Sequence, residues 1–440
     1  MNFPVPLVHG HLDGLLVSGR RQVFLPPANS NNRKNGYTPF KTMTVPASDI
    51  ENAPDFKAET LESNASVSPI TSRRIIILLA VIPTILLSAN WFVCATWNHF
   101  WKSPGIPAWE MIPSVMTLTF IGSMFLGWRY SGLWLRLIYR ISATWLGILN
   151  FGFFAACGAW IVSGIGALFS LPIEPKLIAV TFPGIAVLAS IYGLVNASRL
   201  RVTGVTVRLA NLPPGWHGRS AALVTDMHLG NVRGVGFTRR VVARLQQLQP
   251  EAVFISGDMF DGVKADLGAL VEPWKRLSPP AGIYFICGNH EEFDERTKFV
   301  NAVKGAGIRV LNNEKVEING LQIVGIHDGE TNDPRLFKSL LQRADLDRSR
   351  ASILLAHRPA NLAIPADEGI SLQLSGHTHG GQIWPWHWLA ARVHGKFIHG
   401  LNRFEQMQVF TSYGTGTWGV PMRVCTRSEI VLIRFETETA

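Results

Sequence analysis

Ala221-Ala222-Leu223-Val224-Thr225-Asp226-Met227-His228-Leu229-Gly230 is an apolar run that breaks off at an acid and an imidazole. Short apolar runs bounded by turn formers read as buried strands, so Asp226 and His228 stand where a strand gives way to a loop. The same grammar recurs down the chain. Ala252 to Ser256 leads into Gly257-Asp258, and Gly282 to Gly288 leads into Asn289-His290. Ala351 to Ala356 leads into His357, and Ile370 to Gly376 leads into His377-Thr378-His379. Asp-x-His or Gly-Asp alone is a chance occurrence, whereas five such blocks in order, each at a strand end, are a site. Oxygen donors with imidazoles suit Mn, Fe, Zn or Ni, and two such ions clamp the attacking and leaving oxygens of a phosphoryl displacement.

In sequence and spacing the five blocks resemble the calcineurin-like metallophosphoesterases, from about Val205 to the C-terminus. TDMHLG (225–230), GNHEE (288–292) and SGHTHGGQ (375–382) are most similar to a branch of membrane-associated bacterial phosphodiesterases that includes UDP-2,3-diacylglucosamine hydrolases. The resemblance implies an α+β fold, a four-layer α/β/β/α sandwich of two facing sheets between helices. It implies two divalent metal ions. Asp226, His228 and His379 would hold the first, Asp258 would bridge, and Asn289, His357 and His377 would complete the second. The catalytic pair is Asn289 with His290, the latter placed beside the phosphate as transition-state stabiliser or proton donor, and the nucleophile is a metal-bound hydroxide.

Glu291 departs from the pattern, since many relatives carry Asp there to orient the imidazole. Its longer arm leaves open whether it reaches His290. Asp261 reads as a loop residue supporting the site rather than a ligand, and His327 and Asp328, after the apolar run from Leu321 to Ile326, rank below the five blocks. His387, His394 and His399 read as loop or solvent histidines. Ile383 to Leu389 carries Trp384, Trp386 and Trp388 close to the metal-binding pair, and reads as a loop that meets the bilayer interface.

The first half is a different polymer. Hydrophobic residues make up 47% of the 440, and they crowd into Ile75–Trp97, Met111–Trp128, Ile141–Phe169 and Leu177–Ala197. Each run approaches or exceeds the ~20 residues that cross a ~30 Å hydrocarbon core. Their faces lack the polar stripe of buried soluble helices, and Trp91, Trp97, Trp101, Trp109, Trp128 and Trp134 lie near their ends. Arg73 and Arg74 precede the first run, Arg129, Arg136 and Arg140 separate the second from the third, and Arg199 and Arg201 follow the fourth. The opposite loops offer only Lys102 and Lys176, so both termini and the second half are expected on the cytoplasmic side.

This divides the chain into a disordered segment (1–72), a four-span, all-α transmembrane region (73–200) and a metallophosphoesterase domain (201–440). The first segment is rich in Asn, Pro and Ser; it delays the first apolar run too long for a cleaved signal peptide, and Met43 offers a later start. The net charge of +10 belongs largely to topology, and with no dense basic run, nucleic acid is not expected as a partner. Four cysteines form no disulfide or zinc-finger pattern. Oligomeric state is not legible.

These readings converge on a membrane-anchored hydrolase at a bacterial inner membrane, cleaving a phosphodiester or pyrophosphate bond of a phosphorylated, lipid-linked substrate. A UDP-diacylglucosamine and a phospholipid are the candidates. The alternatives are a soluble nucleotide or phosphoprotein as substrate, or a transporter with a regulatory domain; the near absence of charge within the apolar runs argues against a transport pathway.

Overall fold

The computed structural model describes residues 69–102, 107–292 and 295–438. Of the segment expected to be disordered, only Pro69 to Ser72 are described, and they form the first turn of a helix; the rest lies outside the described residues. Four long helices lead: α1 (Pro69–Trp101), α2 (Pro107–Arg129), α3 (Leu133–Leu168) and α4 (Pro175–Ser198). All four are long and apolar enough to cross a membrane. Their large apolar side chains are widely exposed, while polar ones pair between helices: Asn90 Nδ2 donates to Thr117 Oγ1 at 2.8 Å and Trp160 Nε1 to Thr96 Oγ1 at 3.0 Å.

The stretch expected as a loop between the second and third spans is mostly helix. α3 starts at Leu133 and runs for 36 residues, about 54 Å at 1.5 Å per residue, well beyond the hydrocarbon core. Leu and Arg are good helix formers, and the early turns have a partner, since Arg136 Nη2 donates to the Gly230 carbonyl at 3.1 Å.

The strands that follow are β1 (Leu200–Leu209), β2 (Ser220–Val224), β3 (Ala252–Ser256), β4 (Ile283–Ile286), β5 (Arg309–Val310) and β6 (Glu314–Ile318). After them come β7 (Leu321–Gly325), β8 (Ser352–Leu355), β9 (Leu372–Ser375), β10 (Gly400–Phe404), β11 (Met407–Thr411) and β12 (Ser428–Thr437). Between them lie α5 (Val235–Leu248), α6 (Leu267–Val271), α7 (Arg296–Gly305), α8 (Asp328–Thr331), α9 (Pro334–Arg343), α10 (Ala363–Asp367) and α11 (Trp386–His394). One sheet has the order β1-β12-β2-β3-β4-β5, the other β10-β11-β9-β8-β7-β6. β2, β3 and β4 run parallel, as do β7, β8 and β9.

Side-chain alternation along each strand builds the layers. Leu223 and Phe254 face Ile353 and Leu374 in a core between the sheets. Their neighbours Ala222, Val224, Val253 and Ile255 point the other way, against Val241 and Leu245 of α5 and Phe299 and Val303 of α7. On the second sheet Val324 and Leu354 pack against Phe337 and Leu341 of α9. The result is the four-layer α/β/β/α sandwich that the sequence resemblance implies.

The sandwich docks on the helices through its own loops. Met422 and Ile383 pack among Phe151, Ala155 and Ala186 of α3 and α4. The Arg423 N–H donates to the Gly193 carbonyl at 3.0 Å, and Asn196 Nδ2 donates to the Arg423 and Thr426 carbonyls at 2.8 Å. Gly147 leaves room for Met422: a Cβ there would overlap its sulfur. We therefore expect Gly147→Val to raise deuterium exchange at residues 418–426 while β3 and β8 stay protected. Unaltered exchange at 418–426 would mean that α3 does not hold this loop.

Candidate metal centre

The two parallel strand triplets point their carboxyl ends at the same space, and the sequence places a candidate ligand loop just past five of these six strands. Asp226 follows β2, Asp258 β3, Asn289 and His290 β4, His357 β8, and His377 and His379 β9. Three overlapping groups have donor atoms close enough to share an ion: Asp226, His228 and His379; His228, Asp258 and His290; Asp258, His357 and His377.

Backbone strain gathers here. Asp226, His228, Asp258, His377 and His379 have φ of 52°, 48°, 51°, 69° and 48°, in the left-handed region that costs a non-glycine residue about 1–3 kcal/mol. Backbone hydrogen bonds over-determine the conformation, with Asp226 N–H donating to the Gly257 carbonyl and His228 N–H to that of Asp258, both at 3.1 Å. Gly257 itself has φ +85°, and a Cβ would come within 2.7 Å of the Gly288 backbone. A glycine before Asp258 is thus dictated by the approach of two strand ends.

The donor set fits divalent cations. His357 Nδ1 faces the Ser256 carbonyl at 2.7 Å and donates to it in that tautomer, which turns the Nε2 lone pair toward Asp258 Oδ2 at 3.2 Å. Asn289 Oδ1 is buried with no hydrogen-bond partner among the described residues. His228 Nε2 and His379 Nε2 approach to 3.0 Å, and Asp226 Oδ1 lies 3.4 Å from the latter. Lone pairs and carboxylates crowded out of water need positive charge between them. The electrostatics of the cluster make the same demand. Burial alone would lower His357, yet Asp258 pushes it up to about 10. Against burial, His357 in turn holds Asp258 well below the usual carboxylate range. Burial first, then the His357 charge, depresses His377 to about 2, so an ion rather than a proton suits it.

Surrounding residues correct part of the reading. Glu291 does not orient His290: its carboxylate accepts the backbone N–H groups of Asp258, Phe260 and Gly288 at 3.0, 2.9 and 2.8 Å, tying two strand-end loops together. Burial foremost, then Asp258, pushes it up to about 8. Asp261 is the residue beside the imidazoles, with Oδ1 3.4 Å from His228 Nδ1 and its carbonyl 3.3 Å from His290 Nδ1. His327 Nδ1 accepts the Cys287 N–H at 2.9 Å, and Asp328 pairs with Arg358 at 2.9 Å, so both brace the rim. His387 and His394 lie on α11, with the His394 ring 6.2 Å from that of His377. His399 is no idle loop residue: it stacks on Tyr413 at 3.5 Å and lies 3.4 Å from the buried Glu429 carboxylate.

Arg423 is the residue that sequence reasoning missed. It is fully buried, and its guanidinium donates to the carbonyls of His379 (3.3 Å), Tyr413 (2.6 Å) and Gly416 (2.8 Å). Gly416 N–H in turn donates to the Asp226 carbonyl at 2.8 Å. No strand-then-ligand pattern surrounds Arg423, so nothing in the sequence separates it from other arginines.

A family model described as calcineurin-like phosphoesterase matches residues 220–381. An uncharacterized metallophosphoesterase of Aquifex aeolicus is 31% identical over 57% of this chain and 97% of its own length. The chain belongs to the calcineurin-like phosphoesterase family. It is also similar to a transmembrane protein with metallophosphoesterase domain from Danio rerio, 34% identical over 56% of this chain and 60% of that protein. An uncharacterized metallophosphoesterase of Helicobacter pylori is 31% identical over 48% of this chain and 58% of that protein. The matches thus span about three fifths of the Danio rerio and Helicobacter pylori relatives.

Metal analysis by plasma mass spectrometry separates the roles. Asp258→Ala is expected to lose metal at both positions, because its carboxylate would neutralise the repulsion between two bound cations, whereas His290→Ala is expected to retain metal. Equal losses in the two variants would make His290 a ligand.

Proposed function

We propose that this chain hydrolyses a phosphodiester or pyrophosphate bond of a lipid-linked substrate, such as a UDP-diacylglucosamine or a phospholipid, at the cytoplasmic face of a bacterial inner membrane. Two divalent cations, from among Mn, Fe, Zn and Ni, would be held by Asp226, His228, Asp258, Asn289, His357, His377 and His379. When bound, they supply Lewis acidity at the phosphoryl oxygens and lower the pKa of a water.

The chain's own residues do the rest. Asp258 balances charge between the two halves of the site. Asp261 fixes the orientation of His228 and His290 through their Nδ1 sides, leaving His290 Nε2 to face the reacting phosphate and pass a proton to the leaving oxygen. His290→Ala is expected to slow turnover by roughly 10²–10⁴-fold, the scale of a positioned acid or base.

One observation carries the lipid reading: Arg423 joins the site to the helices. Its backbone bonds to Gly193 and Asn196 of α4, while its side chain holds the His379 carbonyl. The reacting centre therefore lies next to the ends of helices fit to span a bilayer. Outside those helices, large exposed apolar side chains concentrate on α11 and at Trp418, whose ring lies 6.1 Å from that of His290. Trp384 is not part of that surface, whereas Trp386 is 49% exposed but tethered. The Trp384 ring packs against Phe154, and Trp386 Nε1 donates to Asn150 Oδ1 at 2.9 Å. Trp388, Leu389 and Val393, 63%, 57% and 71% exposed, form the face suited to the bilayer interface.

The test is a panel of substrates offered to purified protein with each metal in turn: a UDP-sugar lipid, phospholipids and a soluble aryl phosphodiester. Replacing Trp388, Leu389 and Val393 together by Ser is expected to depress turnover of the lipid far more than that of the aryl ester, with metal content unchanged. Equal losses would remove the lipid from the proposal. The arginine asymmetry supports a cytoplasmic domain, so a cytoplasmic reporter fused after Ala440 is expected to be active and a periplasm-dependent alkaline phosphatase silent; the reverse pattern would overturn the orientation.

A further inference from the structure

The metal centre has two flanks. On one, the His290 ring lies 4.6 Å from that of His228 and 6.1 Å from that of Trp418. On the other, the ring of His394, at the end of α11, lies 6.2 Å from that of His377. Arg358 belongs to this second flank. It follows His357 directly in sequence, and after burial and His357 its charge is the next influence that lowers His377, with His394 acting in the same direction. His394 is itself lowered first by burial and then by Arg358, so the guanidinium and the two imidazoles share one corner of the site.

Arg358 is held at one edge and open at the other. Its Nε donates to Asp328 Oδ1 at 2.9 Å, and that carboxylate is fully buried, which anchors the guanidinium from the inside. The side chain is 30% exposed, and Nη1 and Nη2 make no hydrogen bond among the described residues. His394 is half-buried, and its ring nitrogens likewise make none among the described residues. A guanidinium fork matches the paired oxygens of a phosphate or carboxylate, and an imidazole N–H adds a directed donor. The ligand set proposed above serves the phosphoryl group under attack, so polar groups standing beyond His377 are left for a different anion.

We propose that Arg358 and His394 form a subsite for a second anionic group of the substrate, a phosphate or carboxylate on the half that stays attached to the attacked phosphorus. The two flanks select that half: the leaving oxygen departs toward His290, and the retained half extends toward His377. The assignment rests on the hydrolytic reading and deepens it, because it makes charge on the retained half a determinant of specificity.

The test compares two esters with the same leaving group, p-nitrophenyl ethyl phosphate and p-nitrophenyl 2-phosphonoethyl phosphate, on the full metal-loaded chain in detergent. Wild-type kcat/KM is expected to favour the phosphonate-bearing ester by roughly 10- to 100-fold, mainly through KM, the scale of one or two charge-assisted hydrogen bonds. His394→Gln is expected to lower this ratio severalfold and Arg358→Gln to bring it near one, with metal content as in wild type. Because Arg358→Gln deprives the buried Asp328 of its cation, Arg358→Lys is measured beside it; it keeps the charge without the fork and is expected to hold an intermediate ratio. A ratio near one in wild type, or an unchanged ratio in the folded variants, would overturn the subsite. Millimolar inorganic phosphate that raised turnover of the ethyl ester to that of the phosphonate ester would make a free anion the ligand and overturn the assignment to substrate. Isothermal titration with ethylphosphonate and ethane-1,2-diphosphonate reads the same preference without turnover. A preference for the diphosphonate that the variants lose supports the subsite even where neither ester is cleaved, a result that would overturn the hydrolytic reading alone.

Discussion

Two carboxylates, an amide oxygen and several imidazole nitrogens converge at the ends of five strands, buried from water and short of protein partners. Asp258 and His357 approach to 3.2 Å, and His228 and His379 to 3.0 Å. Donor lone pairs removed from solvent repel one another. Positive charge placed between them resolves the conflict. The left-handed backbone at Asp226 and His228 is held by backbone hydrogen bonds to the Gly257 and Asp258 carbonyls. The sandwich places the donors and the loops lock them.

Attachment to the membrane-capable helices follows from those same loops. Arg423 reaches His379 with its side chain and Gly193 with its backbone, and Met422 beside it sits in the space left by Gly147. Moving the helices would therefore move a carbonyl within the metal-binding loop. This coupling distinguishes the arrangement from a soluble domain on a slack tether.

Much of this was legible in the sequence because it is local. A buried strand followed by a ligand is visible in ten residues, and β2, β3, β8 and β9 stand where the apolar runs fall. Helices of unbroken apolar composition are equally plain. The missed features depend on distant contacts. Glu291 sits next to His290 in sequence, yet its acceptor role is set by amides of another loop, at Asp258 and Phe260. Arg423 acts across 44 residues on His379, and α3 extends past its apolar run because Arg136 finds the Gly230 carbonyl. Trp384 reads as an interfacial side chain until its packing on Phe154 is seen. Spacing reports which residues end strands; it does not report which charges meet.

The role proposed for the donor cluster is to hold two cations close together. Electron paramagnetic resonance of the full chain loaded with Mn²⁺ tests it most directly. A spin-coupled multiline spectrum that saturates at two equivalents of metal is the result the account predicts. A six-line spectrum of isolated ions, saturating at one equivalent, would contradict it.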